Sequence, residues 1–236
     1  MAKLCKDQLV GKLIALFTDA DPQNIDDAVA QAKGQLTAEA EQARRNSLEK
    51  FFDVQIATLK DRGVPEQIVE IFWNQKVAVL KKASGITFGK GNIPFLPVIP
   101  RIFRSPYDLM AMVRNGSRAG YTLLNPTAIS DVVDAPNEPY YIYDVENGES
   151  MRGKSPEVAE KILKQQKRSP LTAAEAMALA VYTDVLLRHH VWAAGSRYGG
   201  SDRVPIVYLV DGRPGLDWYY ADFSDDRWGS ASCGSR

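Results

Sequence analysis

Residues 193–236 decide the reading of this chain: AAGSRYGGSDRVPIVYLVDGRPGLDWYYADFSDDRWGSASCGSR. Two strand-like runs, 204–210 and 216–223, flank the turn-forming cluster Asp211-Gly212-Arg213-Pro214-Gly215, which predicts a β-hairpin. Glycine, serine and arginine recur at turns on either side, with Trp218, Tyr219, Tyr220 and Trp228 close by. Glycine-rich turns do not fill a core, and aromatic side chains give hollows apolar walls. An arginine in such a hollow is costly to bury without an anionic partner. The expected site is a cleft where this hairpin and its Gly-Ser turns meet the turn at residues 115–118. It would hold Arg118, Arg197 and Arg236 and be edged by Tyr198 and Trp228.

Upstream, residues 140–145 form a β-type run closed by Glu146-Asn147-Gly148. With residues 120–124 or 128–133, this run and the hairpin make a small, mainly antiparallel sheet packed with helices. Ser155-Pro156 heads a helix bearing Val158, Ile162 and Leu163. Thr172 and Glu175 have capping-box spacing at the head of another, predicted over 173 to about 190, which is apolar on most sides and so expected to be buried. Ser105-Pro106-Tyr107-Asp108 starts a short helix that Asn115-Gly116 ends. Pro94, Pro97 and Pro100 recur every three residues, which predicts an apolar polyproline II segment lying against the body of the protein.

Before Gly85 the chain reads as nearly pure helix. Leu4, Leu9, Leu13, Leu16 and Phe17 mark one face of a first helix. A second runs from Ile25 to about Asp61, with a thin alanine stripe that thickens from Leu48. Gly63 stops it and Pro65 starts a third. The fold class is therefore α+β. A helical hairpin or bundle domain occupies residues 1–85, and an α+β domain follows over 86–236. The narrow stripe also suits a homodimer or a helical protein partner through residues 25–60.

Composition narrows the function classes. Lys plus Arg and Asp plus Glu stand at 29 each, so the basic excess of a nucleic-acid binder is missing. No apolar run approaches the ~20 residues of a membrane span, and Lys6, Asp7 and Lys12 interrupt the N-terminal one. The two cysteines, Cys5 and Cys233, suit a reducing compartment, so a cytoplasmic location is expected. No βαβ alternation or phosphate loop occurs, since GITFGKG at residues 85–91 has neither nucleotide-loop spacing, and no cofactor is expected.

Three constellations carry possible chemistry. Gly-Ser-Arg occurs at residues 116–118, 195–197 and 234–236. Its turn amides, hydroxyl and forked cation suit a small anionic ligand, although the same arginines can instead pair with the chain's own acids. His189 and His190 are adjacent on the predicted helix and diverge by ~100°, so no metal site is expected. One of them is the candidate general base for Ser196, Ser232 or Cys233 in an alternative hydrolase or transferase reading. Cys233, with arginines nearby, is the candidate reactive thiol.

The motifs AGSR, RVP, GRPGLDW and WGSASCGSR, together with PYYIYDVENG and SPLTAAEAMAL, resemble a bacterial domain family of unknown function over about residues 90–236. That resemblance implies a bacterial source and one coherent domain. It brings no activity, cofactor or catalytic residue.

Overall fold

The computed structural model describes residues 25–236, with side chains from residue 34 onward. The expected first helix and Cys5 lie outside the described residues. The helices are α1 (Ile25–Asp61), α2 (Glu66–Asn74), α3 (Lys76–Ser84), α4 (Pro106–Met112), α5 (Pro156–Gln165) and α6 (Ala173–Tyr182). The strands are β1 (Ile93–Val98), β2 (Arg114–Asn115), β3 (Arg118–Ala119), β4 (Tyr121–Thr122), β5 (Ile129–Asp131), β6 (Tyr140–Val145), β7 (Ser169–Pro170), β8 (His190–Trp192), β9 (Ser196–Tyr198), β10 (Arg203–Val210), β11 (Arg213–Tyr220), β12 (Trp228–Ser230) and β13 (Ser232–Cys233). This is the α+β class read from the sequence.

By internal packing the chain divides into two compact units, Met1–Glu49 and Lys50–Arg236. In the first, α1 is polar and alanine-rich, with Ala38, Ala40 and Ala43 exposed and Gln42 donating to Asn46 at 2.9 Å. The boundary expected near residue 85 from the change in composition stays a proposal for proteolysis to test.

In the second unit, β10 and β11 form the predicted hairpin, in full register from Arg203↔Tyr220 to Val210↔Arg213. Asp211 and Gly212 sit at φ 50° and 70°, the two left-handed residues of a tight two-residue hairpin turn. The hairpin is the centre of a five-stranded sheet ordered β12-β8-β10-β11-β4, whose two outer pairings are parallel. Trp192, Val204, Ile206 and Ala221 bury against it, with Trp228 packed on them.

Four local expectations change. The proline-rich stretch is the strand β1, paired antiparallel with β6 at Pro97↔Tyr141, rather than polyproline II. β1 pairs only with β6, so a proline nitrogen can face its unpaired side without breaking a ladder. For the same reason β6 belongs to this two-stranded sheet and not to the hairpin's sheet. Phe52 of α1 stacks on Tyr141 at 5.8 Å, and Phe72 of α2 meets the same ring edge-on at 5.5 Å.

The third change concerns the buried helix. α6 begins with the predicted capping box at Thr172 and Glu175, but it ends at Tyr182 rather than near residue 190. Thr183 is extended, and its hydroxyl turns back to donate to Leu179 O at 2.7 Å. A short turn at Val185–Leu187 then leads into β8, so His190 lies in a strand and not at a helix end. The single predicted third helix is likewise two, α2 and α3, divided at Gln75.

Candidate functional site

Two hairpins and a helix end enclose a cavity of about 370 Å³. Asn115 Nδ2 donates to Gly212 O at 3.0 Å, Arg213 Nε to Ala119 O at 3.2 Å, and Arg118 Nη1 to Asp211 O. These bonds lock the β2–β3 hairpin to the β10–β11 turn, the meeting of turns expected from the sequence. The cavity opens beneath them, walled by Leu209 and Pro214 of the hairpin and by Val181 and Tyr182 at the end of α6. Arg114 stands exposed at its rim.

Arg62 reaches the cavity from the end of α1. Its amide closes the last turn on Thr58 O at 2.9 Å, and Gly63, at φ 69°, turns the chain away. Nη1 of Arg62 is 3.2 Å from Asp61, but Nε is buried without a hydrogen-bond partner. The hydroxyls of Tyr182 and Tyr141 are buried and unpartnered in the same way. An orphaned buried donor costs about 1–3 kcal/mol, so each calls for an acceptor.

Tyr141 and Arg62 both act on Tyr182. Burial, and then the Tyr141 hydroxyl, push the Tyr182 pKa well above its usual value, while Arg62 pulls it down. Tyr182 therefore stays a protonated donor at neutral pH. The one acid lining the cavity, Asp184, is held by Arg188 at 2.6 Å. What the arrangement can do chemically is set the guanidinium groups of Arg62 and Arg114 at a hollow with apolar walls, while Arg62 Nε and the Tyr182 hydroxyl are themselves closed off.

The arginines singled out in the sequence are occupied by the protein itself. Arg236 grips Glu175 through Nε and Nη2 at 2.7 and 2.8 Å and reaches Ser169 Oγ at 2.6 Å. Arg197 pairs with Glu160 at 2.7 Å and donates to Ala194 O and Ser196 O. Arg118 serves the hairpin contact described above. Tyr198 stacks on Trp218 at 6.1 Å, and Trp228 packs edge-on against Trp192 at 5.0 Å. Only the turn that carries Arg118 reaches the cavity. Arg197, Tyr198, Trp228 and Arg236 are not among its walls.

A second cleft, of about 470 Å³, lies between the partners of Arg197 and Arg236 and is lined by Glu160, Lys164, Lys167, Arg168 and Ser169. Arg168 is taken up by Asp144 at 2.6 Å and Ser232 Oγ at 2.8 Å. Its two lysines are exposed surface side chains.

The groups of the hydrolase alternative have other partners. Cys233 is buried, and burial foremost pushes its thiol up to about 12, far from the thiolate a nucleophile needs. Ser196 Oγ donates to Asp131 at 2.5 Å and accepts from Ala173 N at 2.8 Å. His189 Nδ1 is 2.9 Å from His190 O and its Nε2 3.5 Å from Glu149, while the His190 ring lies against Trp228 at 5.8 Å. Among the described residues no group of three or more His, Cys, Asp or Glu side chains is placed to hold a metal ion. Nor is any described helix long and apolar enough to cross a membrane.

Fold and cavity together define an α+β protein with an arginine-edged hollow beside its hairpins. The chain belongs to a family of unknown function (DUF5701), whose sequence profile matches residues 9–236, so the likeness read over residues 90–236 extends through the helices. No curated protein and no solved structure matches it.

Arg62, Arg114 and Tyr182 went unread as site residues in the sequence. One signal was available for Tyr182, which follows the apolar run 176–181 of its helix with a hydroxyl that must find a partner once buried.

Proposed function

We propose that this protein is a binding module for a small anionic ligand, held in the cavity beneath the β2–β3 and β10–β11 hairpins. The observation that carries the reading is the ligand-sized cavity with two arginines among its walls, Arg62, whose side chain is 22% exposed, and the exposed Arg114. An anion there would face the guanidinium groups of both arginines. Arg118 contributes by fixing the roof of the cavity. A free thiol at Cys233 supports a reducing, cytoplasmic setting.

Thermal denaturation with a panel of phosphates, nucleotides and small carboxylates tests the reading, on wild type and on Arg62→Met. A ligand at about 100 times its dissociation constant adds about 2.7 kcal/mol, and hence several degrees to Tm. The wild type should gain this with at least one anion and the variant should not. No gain with any anion rejects the site.

A second reading rests on the exposed alanines Ala40 and Ala43 of the α1 stripe, which permit close approach of another helix. It makes residues 25–60 the seat of a homodimer or a helical partner. Sedimentation of the intact chain decides it, since a monomer at all concentrations rules out the homodimer.

A further inference from the structure

The geometry points to a docking cleft for an acidic polypeptide segment of another protein, at the C-terminal end of α5. The cleft has a volume of about 470 Å³, and Val132, Val133 and Pro170 stand among its walls with Lys164 and Lys167. It shares no wall residue with the cavity beside the hairpins.

Charge balance is the first argument. Glu160 is the acid along the cleft, and Arg197 already holds it at 2.7 Å. Arg168 is cancelled in the same way by Asp144 at 2.6 Å. Lys164 and Lys167 are exposed, and among the described residues no carboxylate pairs with either. Two positive charges therefore stand uncompensated along the cleft, and the surface that complements it is acidic.

The backbone at Lys167 is the second. α5 closes with a Schellman motif, in which Lys167 N donates to Lys164 O at 3.1 Å and Arg168 N to Leu163 O at 2.9 Å. Lys167 is the residue past the cap, at φ 57°, a left-handed conformation that glycine adopts without a Cβ penalty. The macrodipole favours a cation at this end of the helix, and Lys164 in the last turn meets that need without strain. A second lysine in the left-handed position carries a backbone cost, which a task for its side chain at the cleft explains.

The walls select the class of partner. Val132 is 53% exposed, and Val133 and Pro170 are half-buried, so an apolar side chain gains by covering them. Inorganic phosphate has nothing to place there. Single-stranded nucleic acid is met by stacking rings and a track of cations, whereas the described walls hold no aromatic side chain and two free lysines. The forked arginines that would clamp one oxyanion, Arg168 and Arg197, are engaged within the protein. Lysines are point charges on flexible stems and suit carboxylates spaced along an extended chain.

A phage-displayed library of random nonapeptides, selected on the full chain, supplies the probe. The selected sequences should be rich in Asp and Glu and carry an apolar residue. Isothermal titration then compares the best of them with its Asn and Gln counterpart, inorganic phosphate and a single-stranded oligothymidylate, on wild type, Lys164→Gln and Lys167→Gly. Wild type should bind the acidic peptide at least roughly tenfold more tightly than the other three. Each variant should weaken that binding roughly threefold or more, and added salt should weaken it further. Lys167→Gly should also raise Tm, because glycine relieves the left-handed backbone, so its weaker binding does not come from a weaker fold. If the selection yields no binder or enriches no acids, or if both variants bind the peptide like wild type, the cleft is not such a site and the proposal falls. Phosphate or oligothymidylate that binds as tightly as the peptide, and weakens in the same variants, would reject the peptide class.

Discussion

Arg236 holds Glu175 in a two-point grip, Nε to Oε1 at 2.7 Å and Nη2 to Oε2 at 2.8 Å, at the buried head of α6. The same carboxylate caps the helix through Thr172 N at 2.7 Å and accepts the Tyr140 hydroxyl at 2.8 Å. One charged pair therefore ties the strand β6, the head of α6 and residue 236 together. Bidentate geometry and the added hydrogen bonds offset the cost of desolvating both ions.

Removing either partner alone should be severe, because it leaves the other charge buried without compensation. Arg236→Met or Glu175→Gln should each cost about 3–5 kcal/mol in urea unfolding. The double variant should cost much less than the sum of the two. Single variants within about 0.5 kcal/mol of wild type would show that the pair contributes nothing, as exposed pairs often do.

Cys233 should be inert while the protein is folded. Iodoacetamide followed by peptide mapping should leave it unlabelled in the native state and label it once denatured. Its titration has a definite sign. The folded thiol titrates at about 12 against an ordinary value of 9.0, so its contribution to stability is complete below pH 9 and is lost as the pH rises toward 12. Cys233→Ala should reduce the slope of stability against pH between 9 and 11 by up to about 1.4 kcal/mol per pH unit. Rapid native labelling at pH 7 would contradict the buried placement.

Limited proteolysis discriminates between two boundaries. Composition changes near residue 85, while internal packing divides between Glu49 and Lys50. Phe52 and Phe72 both contact Tyr141, which predicts that residues 50–85 stay with the remainder after cleavage. A stable fragment ending between residues 84 and 92 would place the boundary where the composition changes.

Much of the fold was legible because its signals are local. The turn formers at residues 211–215 specify a hairpin, although the turn is only Asp211-Gly212 and the second strand runs from Arg213 to Tyr220 rather than over 216–223; Thr172 and Glu175 specify a helix head, and Gly63 stops α1, all without reference to distant residues. The polyproline II reading of the proline-rich stretch failed because pairing with β6 is a long-range fact that three-residue spacing does not contain. The extended helix to residue 190 failed because apolar residues continue past Thr183 into a strand, and periodicity does not separate a buried helix from a buried strand. The site was legible only in its roof. Composition pointed to arginines in glycine-serine turns, but whether an arginine is free depends on the acid folded against it. Glu160 and Glu175 are 37 and 61 residues away from the arginines they occupy. Arg62 lies in another part of the chain altogether and looks like an ordinary helix-end cation until Tyr182 is brought beside it.

The most direct test of the account watches Arg62 itself. In a ¹H–¹⁵N spectrum of the arginine Nε–H groups, titration with the anion of the panel that raises Tm most should shift one cross-peak saturably. That peak should be missing from the spectrum of Arg62→Lys. A titration in which no arginine Nε–H moves, or in which the moving peak persists in Arg62→Lys, would contradict an anion site built on Arg62 and Arg114.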